Sequence, residues 1–376
     1  MPLPPRAPVP TPFDITGGHF ALSLVAFALG SALLPGAVPD LVRGVPFTPR
    51  TLALVHLFSL GVLGSAISGA LYQFYPMALG VPARSVRIGR MGLAAWALGL
   101  LALIGGLWRW SPPLMGAGWG LLFLAVGATS WNLLPARRQT TVPDGRRIGW
   151  YVSAGHSALG IAMGLGLVRI GDAWGWWHTD QLAIIATHFH WGVVGFGTLT
   201  VLGVGGRMLP MFLLTGPTPS GPLRIIGPSI VAGLLLQGAG LLGGWPLLVL
   251  LGGAALIGAA LMTILLLVRW WTGRHRPLEG GLDLLPTATA WLAISVALGS
   301  AVMFSAGRSF RLWEAYALAA LLGWLILLVL AVLFRIVPHL SYIHLFGRRG
   351  GAVVPVDALV RVGWTRLVSV LLPLGL

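Results

Sequence analysis

Apolar residues run along this chain in long blocks, broken by short segments that hold most of its arginines and prolines. Neither a period of 3.6 nor strict alternation dominates inside the blocks. A run of about 20 apolar residues is the length that crosses a bilayer as a helix. That rule predicts eleven spans, near 19–36, 51–79, 91–108, 114–134, 148–168, 182–214, 225–244, 246–271, 287–306, 313–338 and 355–376. The tightest predicted hairpin is Gly243-Gly244-Trp245-Pro246, between spans 7 and 8. The chain stops inside the eleventh run, at Leu376, which predicts that a further segment follows.

Spans 2, 6 and 10 carry one spacing. Counting from His56, His190 and Leu318, position five is Gly61, Gly195 and Gly323, and position thirteen is Gly69, Gly203 and Ala331. Position twenty is Pro76, Pro210 and Pro338. The anchors lie 134 and 128 residues apart, four spans each time. An even number of spans keeps every copy in one orientation. The unit is therefore a four-helix block used three times, at 1–147, 148–283 and an incomplete 284–376, within one integrated membrane domain. This register predicts that the three prolines lie at one depth. His19, His156 and Trp291, near the starts of spans 1, 5 and 9, suggest a further match without a constant spacing.

Composition agrees with a membrane protein. Apolar side chains make up 56% of the 376 residues and charged ones 9%, against about 25% in soluble domains. Mean hydropathy is +0.87. The fold class expected is an all-α polytopic membrane protein of about 11–12 transmembrane helices, in three pseudo-threefold-related four-helix blocks. A soluble enzyme, a coiled coil and a disordered tail are excluded. The net charge of +15 comes from arginine without any lysine. In a soluble protein it would suggest nucleic acid, but here the arginines sit in loops. Sixteen fall on the side of the N-terminus and of the loops after spans 2, 4, 6, 8 and 10, and six on the other (Arg43, Arg50, Arg109, Arg169, Arg308, Arg311). The positive-inside bias then predicts a cytoplasmic N-terminus in a prokaryotic inner membrane. With no cysteine there is neither a disulfide nor a thiolate metal site. Most of the 17 tryptophans read as interfacial belts.

Histidine is where chemistry concentrates. His178, His275, His339 and His344 read as interfacial or loop residues. His19, His56, His156, His188 and His190 lie within apolar runs, where an ionisable side chain marks a functional site by default. The alternative for each is an interhelical hydrogen bond of about 0.6–2 kcal/mol. His188 and His190 point about 200° apart on a helix, so they serve different neighbours. His56 and His190 are repeat-equivalent and share a depth, and two imidazoles at one depth can bracket a porphyrin. The expectation is a b-type heme between His56 and His190, with His188 and His156 facing a second site for heme or copper. Among the nine acidic residues only Glu314 falls plausibly within a span, which argues against a proton pump.

The stretches His56-Leu-Phe-Ser-Leu-Gly61 to Tyr75-Pro76 and His188-Phe-His190 to Leu209-Pro210, set in parallel four-helix blocks, resemble subunit I of the heme-copper oxidase superfamily. The nearest branches are the cbb3-type and nitric-oxide-reductase relatives and the NnrS-type proteins. The resemblance implies twelve spans with pseudo-threefold symmetry, a low-spin heme ligand at His56, and as partners other respiratory-complex subunits or a cytochrome. It departs at span 10, which has Tyr316 and Leu318 where the family has a His-x-His pair, and in having no His-His pair. The implied function is electron transfer, or nitric oxide or oxygen binding, without a full oxygen-reducing binuclear centre. A metal or small-solute transporter using the intramembrane histidines, and a cofactor-free structural subunit, stand as alternatives.

Overall fold

The computed structural model describes residues 11–216, 220–305 and 309–346. Among them there is no strand, and ten helices are long and apolar enough to cross a membrane. They are α1 (Phe13–Gly36), α2 (Pro49–Leu79), α3 (Val86–Arg109), α4 (Pro112–Gln139), α5 (Gly145–Trp174), α6 (Gln181–Leu213), α7 (Gly221–Gly243), α8 (Pro246–Thr272), α9 (Leu284–Phe304) and α10 (Phe310–His344). The protein is an all-α polytopic membrane protein. Spans 1 to 10 of the sequence reading each correspond to one helix, and the eleventh, 355–376, lies outside the described residues. Most helices begin earlier or run further than their apolar runs, because polar turns at the membrane surface continue the helix.

The helix ends follow local chemistry. Thr48 caps α2, its hydroxyl accepting from Thr51 N at 3.3 Å, with Pro49 at the first helical position. The Asp180 carboxylate caps α6, accepting from the amides of Leu182 and Ala183. The hairpin at Gly244 forms as expected, with φ +68° there and Trp245 N donating to Gly240 O at 2.8 Å.

By its contacts the chain forms two compact units. The first holds the described residues up to Gly206 with Ile230–Gly252, and the second Arg207–Ser229 with the described residues from Gly253 onward. In the first unit α3 and α4 pack backbone to backbone. A Cβ on Gly106 would stand 2.6 Å from Met115 N, and one on Gly99 would stand 2.8 Å from Leu122 N. Glycine there lets dispersion contacts form where lipid offers no hydrophobic drive.

One backbone feature recurs. Leu57–Gly64 in α2, His190–Thr198 in α6 and Ala319–Ile326 in α10 are wound as π-helix. Each ends eight residues past its anchor, His56, His190 or Leu318. Such windings are rare and often mark functional sites. The glycine five residues past each anchor receives the helix that precedes it in the chain. A Cβ on Gly61 would lie 2.8 Å from Ala26 Cβ of α1, on Gly195 2.6 Å from Ala158 Cβ of α5, and on Gly323 2.6 Å from the Trp291 ring of α9. Position thirteen continues this in two blocks, with Gly69 against His19 and Gly203 against Tyr151, each seven residues before the alanine. His19 therefore corresponds to Tyr151, and Trp291 to Ala26 and Ala158. The suggested alignment of His19 with His156 and Trp291 is corrected by this packing.

Candidate heme and metal site

The caps on α2 and α6 set the depth of two histidines. His56 is seven residues past Pro49 and His188 seven residues past Gln181, so each lies about 10 Å along its helix. The π-wound stretches of α2 and α6 pack on each other in the first unit. The imidazoles of His56 and His188 meet there, with centroids 5.9 Å apart and planes inclined by 40°. Both rings are half-buried, whereas His156 and His190 are each 7% exposed and His19 is 1% exposed. Gly192, one turn beyond His188, has nothing within 4 Å of where a Cβ would stand, so side-chain bulk does not fill the space there.

Four of the five intramembrane histidines share one arrangement. Nδ1 of His56 is 2.8 Å from Leu52 O, of His156 2.9 Å from Val152 O, of His188 2.8 Å from Ala162 O, and of His190 2.7 Å from Ala186 O. A carbonyl only accepts, so Nδ1 carries the proton and donates. That assignment makes Nε2 the acceptor nitrogen of a neutral imidazole. Metal-ligating histidines have this second hydrogen bond, which fixes tautomer and ring orientation. Three of the bonds stay within one helix, one turn back. That of His188 crosses from α6 to α5, and ties its ring to the neighbouring helix.

The expected partner of His56 was His190, and the ring that stands against His56 is that of His188. The physical reason is that two positions at one depth on different helices need not face each other, since facing depends on which helix stands opposite. His190 packs at 5.5 Å against the Phe189 ring, and His156 stands edge-on to Phe196 at 5.9 Å. His19 differs from the other four. Neither ring nitrogen has a protein partner, and its ring lies between Tyr72 (6.1 Å) and Trp96 (6.4 Å). His178, His275, His339 and His344 are exposed, as read from the sequence. Among the described residues no three His, Cys, Asp or Glu side chains gather where a metal ion would sit.

Sequence reasoning missed a buried polar network. Asn132 Nδ2 donates to the Tyr72 hydroxyl at 3.3 Å and to Ser85 O at 2.9 Å, while its Oδ1 accepts from Ser85 N. Trp96 Nε1 donates to Ser65 Oγ at 3.0 Å. Asn132 in an otherwise apolar run was the signal that this network was there. No protein-family model matches the chain, and no curated protein sequence matches it.

Proposed function

We propose that the chain is a heme-binding integral membrane protein of the heme-copper oxidase subunit I type. It serves electron transfer or the binding of nitric oxide or oxygen, without a full oxygen-reducing binuclear centre. One observation carries the reading: two imidazoles from different helices stand 5.9 Å apart between ring centres, each with Nδ1 on a backbone carbonyl. The donor set fits the group. Two metal–nitrogen bonds of about 2 Å each, with the ring radii, put the centroids of a bis-imidazole pair about 6 Å apart, close to the observed 5.9 Å. A b-type heme so held supplies one-electron redox chemistry and needs no cysteine.

In this reading His56 and His188 are the axial ligands. The carbonyls of Leu52 and Ala162 hold them in the donating tautomer and raise their basicity, and the apolar surroundings exclude water. His190 and His156, each with Nδ1 on a backbone carbonyl, serve a second site for heme or copper. The three blocks are copies of one four-helix unit, and the partners are other respiratory-complex subunits or a cytochrome. An absorption spectrum of the purified protein tests this. A Soret band with sharp reduced α and β bands is expected. Bound copper or zinc without heme would favour a transporter, and neither chromophore nor metal would favour a structural subunit.

The same reading places the N-terminus in the cytoplasm of a prokaryotic inner membrane, on the arginine bias. A single cysteine at position 143, exposed in the loop before α5, is expected to resist an impermeant thiol reagent in intact cells and to react once the membrane is opened. Labelling in intact cells would reverse the orientation.

A further inference from the structure

α1, the chain just before it and α2 carry buried polar atoms that no protein group satisfies. They are the hydroxyls of Thr11, Thr16 and Tyr75 and both ring nitrogens of His19. Thr11 is 8% exposed, His19 1%, and Thr16 and Tyr75 are fully buried. The two helices run antiparallel here, since Gly61 meets Ala26 and Gly69 meets His19. Thr16 is one turn from His19 on α1 and Tyr75 one turn from Tyr72 on α2, each on the side of the N-terminal end. Thr11 lies at that end, just before α1. Counting along the antiparallel helices spaces these residues from the membrane face that carries the N-terminus to a histidine about 9 Å along α1, beside the seam where Gly69 meets His19.

We propose that this seam is an internal water site, a short file of water molecules that ends at His19 and connects its imidazole with that membrane face. Buried polar groups left by the protein are met by ordered water, which makes about three hydrogen bonds each and supplies both donors and acceptors. Hydroxyls and a neutral imidazole need both. A metal ion fits less well, because His19 lacks the carbonyl on Nδ1 that its four counterparts have. Charged and titratable groups around these residues are few. Asp14 of α1 pairs with Arg90 of α3 at 2.6 Å, and Arg137 at the end of α4 acts electrostatically on Tyr75. Tyr72 is engaged by Asn132. His19 is thus the group at the inner end of the file. This inference is independent of heme at His56 and His188.

Deuterium exchange at the imidazole carbon between the two nitrogens, followed by mass spectrometry of the intact protein in heavy water, reads water contact for each histidine. His19 is expected to exchange within about tenfold of the exposed His275, and His190 at least about a hundredfold more slowly. In the Thr16→Val, Tyr75→Phe double variant, which keeps side-chain volume, exchange at His19 is expected to fall more than about tenfold while His275 is unchanged. Exchange at His19 as slow as at His190 would overturn the proposal, and this comparison needs only the native protein. A rate at His19 that the double variant leaves unaltered would overturn it as well.

Discussion

Alanine at His56 or at His188 is expected to take the low-spin heme spectrum to baseline, while alanine at His178 or His275 leaves it intact. The two sensitive positions are the imidazoles that stand 5.9 Å apart, each with Nδ1 fixed by a backbone carbonyl. His56 and His188 would hold the heme together, so losing either would remove half of its protein anchor. His178 and His275 are exposed and outside the membrane helices, so they are the matched controls. His190→Ala separates two pairings. If His56 pairs with His188, the low-spin bands survive this substitution, and changes appear only in signals from a second site. Reduced-minus-oxidised spectra of the purified variants check each outcome. A normal spectrum in the His56→Ala, His188→Ala double variant would refute the assignment.

The second large effect concerns packing. Valine at Gly195 is expected to destabilise the protein by about 1–3 kcal/mol or more, as overpacking does. A Cβ there would come within 2.6 Å of Ala158 Cβ. Both atoms are bonded directly to backbone, so no side-chain rotation relieves the clash and α5 must move from α6. The repeat gives Gly61→Val the same fate against Ala26 Cβ, at 2.8 Å. Gly160→Ala is the control, because nothing lies within 4 Å of its Cβ position. Thermal unfolding in detergent should show a lowered midpoint for the two valine variants and not for the control. Equal stability of Gly195→Val and the native protein would remove the helix contact from the account.

The spans were legible because length and hydropathy alone decide what crosses a bilayer, and a mistake of a few residues at the polar ends does not change the count. The register of Gly61 with Gly195 and Gly323 was legible for a related reason. Close helix approach demands a missing side chain, and a missing side chain is visible in the sequence. The π-helical winding after His56, His190 and Leu318 was not legible. It redistributes backbone hydrogen bonds from i−4 to i−5, and no apolar pattern reports that. The partner of His56 was only half legible: depth follows from counting along the helix, whereas facing depends on which helix stands opposite. His188 lies as far past the start of α6 as His56 past the start of α2. Counting from the Asp180 and Thr48 caps, rather than from the repeat, would have pointed to it. His19 looked equivalent to the other intramembrane histidines until its ring nitrogens proved to have no carbonyl beside them.

The pairing of His56 with His188 is tested most directly by an experimental density map of the protein purified from the membrane. The account predicts a porphyrin between α2 and α6, with its iron about 2 Å from Nε2 of each imidazole and both Nδ1 atoms still on the carbonyls of Leu52 and Ala162. Two imidazoles in contact with no density between them, or a heme held by other residues, would contradict it.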